Sequence, residues 1–424
     1  MSRLASWGAI LALVAAIAAA SATAASAQPK AGPSGSVSFA MATTYQPGFD
    51  ILIANFKRVY PNIDIKPSYY VSGAPFSTAV TTQFTAGNGP DLTWVTGART
   101  GPTSVWPFAE AGYISDLSKR PWVKRMFPGD KAQYMYKGKV YGYDFGLSIL
   151  ALPAYNKDFF AQNRLSVPKT FAQLLTLCRT IAGMGKIPIA WAGGSAAVDT
   201  NNLVALAAST VTGPDPKWLQ RRLNHQTTFA STPGWRRAVQ MIVDMKNANC
   251  FGPGVEAVQI PQMQQQFASG QAAMMFTYAG LNAQVAQINP NLKIGLFPPP
   301  ADNNPANTWL TAQAAGGLGL NTKSGNKAAA LTFLDFLGRE KQQRLFAKIN
   351  YLVSPYDALK GNLPGIYADL KPWFASNHVV STITAEWPNT QFGTLTGASI
   401  QGLFTGQKTV DAVLADMDKY FELS

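Results

Sequence analysis

Gly146-Leu147-Ser148-Ile149-Leu150-Ala151-Leu152-Pro153-Ala154-Tyr155-Asn156-Lys157-Asp158-Phe159-Phe160 begins as an apolar run with small residues and then turns polar. Such a run is the pattern of a strand buried on both faces, as in a sheet covered by helices on either side. Tyr155-Asn156-Lys157-Asp158 predicts a turn into a short helix whose start, Lys157 and Asp158, is solvated. Val167-Pro168-Lys169-Thr170 ends that helix, because the residue before a proline is pushed out of the helical region. Thr170 is placed to cap a second helix over 171–181 by accepting from a first-turn amide. The stretch reads as the point where the chain crosses from one lobe to another, with the functional site in the gap between them.

Upstream, strands over 37–41, 63–70 and 91–95 alternate with helices over 51–59 and 76–86. Strand, helix, strand, helix, strand predicts an α/β fold with a mostly parallel sheet. Ligands of such sheets bind beyond the carboxyl ends of the strands. That rule puts Thr43, Thr44 and Tyr45, and Thr96 to Arg99, at one rim. Asp91, after Pro90, reads as a turn-closing residue rather than a ligand contact.

Downstream, a strand over 187–191 ends in the small polar loop Ala192-Gly193-Gly194-Ser195. A glutamine-rich helix over 261–267 leads to a buried strand over 272–277 and then to Tyr278-Ala279-Gly280. A glycine-rich strand over 316–321 precedes one long helix over 327–349 and an extended segment over 351–355. Helices over 398–404 and 409–421 close the chain. No internal repeat of 20–50 residues is visible.

The chain has 424 residues, 47% of them apolar and 13% charged, enough for two or three ordinary domains and far from the disordered regime. Residues 1–27 read as a secretory signal peptide: Arg3, a small-apolar run over 10–20, and the cleavage pattern Ala25-Ser26-Ala27. That run is shorter than the roughly 20 residues that span a bilayer, and no later segment reaches that length. No cysteine follows it directly, so no lipid anchor is indicated. A soluble protein exported to a periplasm is expected.

The net charge is +13. Its basic pairs, Lys119-Arg120, Lys124-Arg125, Arg221-Arg222 and Arg236-Arg237, are short and scattered. They read as a solvated surface rather than a nucleic-acid module. An exported chain permits a bridge between Cys178 and Cys250. However, Phe171, Leu174, Leu175, Cys178 and Ile181 share one helical face, so Cys178 reads as a small buried hydrophobe and two free thiols are the expectation.

Catalytic constellations are missing. His225 and His378 are the only histidines, and neither lies in H-E-x-x-H. Gly194-Ser195-Ala196-Ala197 lacks the closing glycine of a nucleophile elbow. Asp144, Asp199 and Glu386 are the carboxylates that a glycosidase would need to bring together, without a motif that says so. No metal or cofactor motif is found, and an enzyme is not expected.

Tyr155 to Phe160 with Val167-Pro168-Lys169-Thr170 resembles the extracellular solute-binding proteins of bacterial ABC importers, family 1, the carbohydrate-binding type that includes maltose- and glycerol-phosphate-binding proteins. The resemblance continues through Gly87-Asn88-Gly89-Pro90-Asp91-Leu92 and Ala109 to Leu117. It also takes in Phe267-Ala268-Ser269-Gly270-Gln271-Ala272-Ala273-Met274-Met275, Gly316 to Leu320 with Ala328 to Leu337, and Thr405 to Asp411, nearly the whole chain after the leader.

It implies a two-lobe periplasmic-binding-protein fold of type II, each lobe a mostly parallel sheet flanked by helices. Lobe one would take 36–145 plus 308–350, and lobe two 146–307 plus 351–424. It implies capture of a mono- or oligosaccharide or polyol by hinge closure, delivery to the membrane permease subunits of an ABC transporter, and a monomer. Glycerol-phosphate-type binding on the same fold, and an exported carbohydrate hydrolase, are the alternatives.

The residues it maps to the cleft are Thr44, Tyr45, Thr96, Arg99, Asp144, Ser148, Trp191, Tyr278, Gly316, Gly317, Tyr351, Trp387 and Phe392. Aromatic faces suit the apolar C–H faces of pyranose rings, hydroxyls and carboxylates suit their hydroxyls, and glycines admit close backbone approach. Trp191 and Tyr278 flank apolar strands and read equally as core. A carboxyl at Asp144 inside an apolar crossing needs a partner; Arg99 reads either as that partner or as a contact to an anionic ligand. Tyr278-Ala279-Gly280 lacks the family's usual tryptophan. Ala385-Glu386-Trp387-Pro388 and Gln391-Phe392-Gly393 lack the arginine of the glycerol-phosphate type.

Overall fold

The computed structural model describes residues 33–423 apart from Ser72, Gly73, Thr100, Tyr278, Pro364, Pro388 and Thr390. The expected signal segment and Tyr278 therefore lie outside the described residues.

The first body is built on a five-stranded sheet in the order Ile63–Tyr70, Gly35–Ala42, Leu92–Val95, Gly317–Leu320, Tyr143–Asp144. Its first three strands run parallel. Gly317–Leu320 runs antiparallel to both of its neighbours, Leu92–Val95 and Tyr143–Asp144. The helix Gln46–Val59 buries Phe49, Leu52 and Phe56, spaced three and four residues apart on one face. Phe49 meets Phe39 of the sheet edge-on at 4.9 Å, and Phe56 meets Phe333 at 4.9 Å. This core runs from Val37 to Phe145 and resumes from Ala314 to Leu352.

The second body carries two sheets. One orders Ile294–Leu296, Leu152–Asn156, Ala272–Thr277 and Ile187–Ala190; the other orders Val379–Ser381, Leu310–Ala314 and Leu147–Leu150. Around the first lie the helices Phe171–Gly183, Ala196–Ala207, Pro233–Asn247, Phe392–Thr405 and Val410–Phe421, enclosing Trp191, Trp218, Phe229 and Trp235.

The apolar run read as one buried strand is two. Leu147–Leu150 and Leu152–Asn156 are both apolar-buried at their starts but belong to different sheets, and Ala151 at φ 43° makes the corner. Alanine carries no signal for that left-handed conformation, so the corner is hidden in the sequence. The expected cap is present, Thr170 accepting from the Gln173 amide, and Asn156 caps the preceding helix by accepting from the Phe159 amide. Lys157 pairs with Asp369 at 3.0 Å and Asp158 with Lys293 at 3.1 Å, both at the surface.

The chain passes between the bodies beside Gly146, after Ala312 and at Val353. Leu147 and Val353 exchange backbone hydrogen bonds of 2.9 Å in both directions. Gly146 has φ +112°, and a Cβ there would collide with the Val353 carbonyl oxygen. Only glycine fits that close crossing.

Two expectations are corrected. The single helix over 327–349 is two, Lys327–Leu337 and Glu340–Ile349, separated at Gly338-Arg339. The Trp122 ring packs on Gly338 where any Cβ would sit, and Tyr143 and Arg125 donate to the Leu337 and Gly338 carbonyls. Those contacts take the carbonyls a continuous helix would use. Cys178 and Cys250 are not free thiols but a disulfide. Cys178 does lie on the buried face of its helix, yet burial is common to the thiol and the bridged form and does not separate them.

Candidate functional site

The register of the first sheet brings several residues to one rim. Gly317 stands opposite Val95 on one side and Asp144 on the other. The turn Thr43–Tyr45 follows directly from Gly35–Ala42, and Thr96 follows Leu92–Val95. Tyr45 is half-buried, donates its hydroxyl to the Ala315 carbonyl, and meets Trp94 and Phe145 edge-on at 6.1 and 5.3 Å. Thr44 is exposed. Thr96 shares a 3.0 Å hydrogen bond with Ser104. Gly316, at φ +137°, lies against the Trp94 indole so closely that a Cβ would strike its nitrogen. That indole N–H is buried without a partner.

Asp144 is fully buried. Its Oδ1 accepts from the Gly146 amide at 2.8 Å, while Oδ2 has no partner. Arg99 is not its counterion: the guanidinium is exposed, 3.9 Å from Glu110 and 5.8 Å above the Trp106 ring. What acts on Asp144 instead is burial and Asp130, another fully buried carboxyl. Burial pushes Asp144 up to about 7, against the opposing pull of the Gly146 N–H, and pushes Asp130 well up too, with Asp144 adding like-charge repulsion. Buried carboxyls without a cation avoid the cost of desolvated charge by holding protons.

On the second body, a cavity of about 230 Å³ is bounded by Ala197, Thr200 and Asn201, by Thr384, Trp387 and Asn389, and by Gly393 and Thr394. Arg99, from the rim of the first body, completes its wall. It is thus a space shared by the two bodies. The helices Ala196–Ala207 and Phe392–Thr405 both begin there, and Thr200 ties them by donating to the Gly393 carbonyl at 2.6 Å. Hydroxyls, amides, an indole and one guanidinium form a wall that can hydrogen-bond a polar ligand and pack on an apolar face of it.

Trp191 and Phe392 do not belong to that wall. Trp191 is 1% exposed, packed on Phe251, Phe276 and Phe404, and its indole N–H donates to Asp199 at 2.7 Å. Phe392 is fully enclosed by Phe229, Trp387 and Phe421. Both are core residues, because the strand and helix ends they occupy turn them inward. Tyr351 lines a separate cavity of about 400 Å³ with Arg344, Leu352 and Tyr367. Ser148 is buried where Leu147–Leu150 pairs with Leu310–Ala314, opposite Gln313. Asp91 is buried and accepts from the Ser38 amide and hydroxyl and from the Ser324 hydroxyl, a scaffold bridge.

The sequence reading missed Ala197, Thr200, Asn201, Thr384, Gly393 and Thr394. Its nearest signals were the small polar loop Ala192 to Ser195, which leads into the first of those helices, and the Trp387 to Phe392 segment. Among the described residues, no helix is long and apolar enough to cross a membrane.

Residues 42–344 match the family model described as bacterial extracellular solute-binding protein. The chain is 25% identical to a binding protein of Brucella abortus over 318 residues, 72% of each chain. It is 25% identical to the melibiose/raffinose/stachyose-binding protein MelE of Bacillus subtilis over 262 residues, 60% of this chain and 58% of that protein. The solved structure of the solute-binding protein RafE in complex with raffinose superposes with a TM-score of 0.75 at 18% identity, covering 92% of this chain and 99% of that one. That superposition extends the two-body architecture over both chains.

Proposed function

This chain belongs to the bacterial extracellular solute-binding proteins, and from that premise we propose that it captures a carbohydrate for an ABC importer. The ligand sits between the two bodies, which act as the lobes of a type II binding protein, lobe one about 36–145 with 315–350 and lobe two about 146–314 with 351–423, the expected boundary at 308 being moved by the pairing of Leu310–Ala314 with Leu147–Leu150. The observation that carries this reading is the cavity walled by Arg99 from one body and by Thr200, Asn201, Trp387 and Asn389 from the other. Amides and hydroxyls there match ring hydroxyls, and the indole offers an apolar face. MelE and RafE, named for melibiose, raffinose and stachyose, support a saccharide ligand.

The mechanism is capture. An open form takes the sugar on one lobe, and the other lobe closes over it because the closed state binds it more tightly. The chain is exported through residues 1–27 to the periplasm, acts as a monomer, and hands its ligand to the permease subunits. Hydrolysis is disfavoured by the placement of the acids. Asp144 lies inside the rim of the first body, and Asp199 is turned into the second core by Trp191.

A thermal-shift and calorimetric panel of mono-, di- and trisaccharides, including melibiose and raffinose, tests the reading. At least one ligand raises the melting temperature and binds stoichiometrically without turnover. No response to any sugar or polyol rejects carbohydrate capture, and steady hydrolysis rejects capture as the function.

A further inference from the structure

The cavity between the bodies has one fully charged side chain on its wall, Arg99. Its present partners hold it weakly. Glu110 lies 3.9 Å away, with both side chains about half exposed at 48% and 58%. An ion pair that open contributes little in water, so exchanging it for an acid on a ligand costs little.

Facing Arg99 are the first turns of Ala196–Ala207 and Phe392–Thr405, which give Ala197 and Gly393 to the wall. Ser195 makes no side-chain capping bond at the first start, whereas at the second Asn389 Oδ1 accepts from the Gln391 and Phe392 amides. The opening amides of a helix lack intrahelical acceptors and carry its positive partial charge. Trp387, on the same wall, is buried with its indole N–H unpartnered.

Acids near the cavity do not cancel this field. Asp199 lies in the first turn of the first helix, but its carboxyl is buried against Trp191, and burial pushes it well above the usual range. Glu386 precedes Trp387 but is exposed and does not line the wall. The cavity therefore sets the Arg99 guanidinium of one body opposite the uncapped start of Ala196–Ala207 on the other.

We propose that the ligand is a saccharide bearing an anionic group, and that Arg99 sets this specificity by holding the acid against the start of Ala196–Ala207. The inference rests on the carbohydrate-capture reading and narrows it. A uronate carboxylate and a phosphate ester share the required chemistry.

Calorimetry with three matched ligands separates the possibilities: galactobiose, digalacturonate and galactose 6-phosphate, each against the full mature chain, R99Q and R99K. At least one anionic ligand binds about tenfold or more tighter than galactobiose, as expected for a charge-assisted contact. Whichever is tighter identifies the acid. The preference shrinks as salt is raised, falls to within about threefold in R99Q, and is partly kept in R99K. Arg99 is exposed, so the melting temperatures of the ligand-free variants match the parent and confirm folding. Galactobiose binding as tightly as both acids overturns the inference and leaves carbohydrate capture standing, as does an unchanged preference in R99Q. Binding of none of the three, together with a silent neutral-sugar panel, overturns both.

Discussion

The indole N–H of Trp191 donates to Asp199 Oδ1 at 2.7 Å, and both side chains are sealed inside the second body. The bond fastens the end of Ile187–Ala190 to the first turn of Ala196–Ala207, the helix that opens onto the shared cavity. Trp191→Phe keeps an aromatic ring but leaves a buried carboxyl unpaired. The expected loss of stability is about 2 kcal/mol, the ordinary cost of an orphaned buried group. Ligand affinity stays within about twofold once binding is measured well below the melting temperature. A large loss of affinity at unchanged stability would instead put the ring on the ligand.

Asp130 and Asp144 make stability depend on pH. Burial raises both carboxyls, Asp144 to about 7, so the folded chain holds protons that the unfolded chain releases near 4. Stability is then greatest at low pH from this pair and is lost as pH rises from about 4 through 7. Asp144→Asn and Asp130→Asn keep the shape without the titration. Each flattens the fall in unfolding free energy between pH 5 and pH 8, Asp144→Asn by on the order of 2–3 kcal/mol relative to the parent. Parallel pH profiles for parent and variants would show the pair to be ionised and compensated.

The bridge between Cys178 and Cys250 spans 72 residues of sequence. Cross-linking so long a loop restricts the unfolded chain and contributes about 4 kcal/mol on chain-entropy grounds. Cys178→Ala with Cys250→Ala lowers the urea midpoint accordingly, and reductant lowers the parent's midpoint without changing the variant's. A parent insensitive to reductant under denaturing conditions contradicts a bridge.

Gly146→Ala tests the crossing. A methyl group would meet the Val353 carbonyl, and the backbone sits at φ +112°, a region alanine avoids. The expected cost is roughly 2 kcal/mol or more, with weaker ligand binding because the paired crossing strands are displaced. A variant as stable as the parent would mean that the two crossings are not held together there.

Much of the fold is legible in the sequence because its punctuation is chemical. Thr170 caps a helix and strand–helix alternation specifies the parallel part of the first sheet, whereas the helix expected to run to Pro168 already ends at Gln162. The strand order makes one rim of Tyr45, Thr96, Asp144 and Gly317 without any contact being known in advance. What stayed hidden was set by tertiary contacts. Ala151 takes its left-handed corner, and Gly338 breaks a helix, because of what packs on them. Trp191 and Phe392 stand beside element ends, where one aromatic pattern serves a cleft or a core. Thr200 and Asn201 look like ordinary helical polar residues until the start of their helix is placed opposite Arg99.

Small-angle scattering across a titration with the tightest saccharide tests the central claim most directly. If the two bodies close on a sugar, the radius of gyration falls along the same isotherm as binding and saturates with it, as hinge closure requires. A radius that is unchanged at saturating ligand contradicts capture between the bodies.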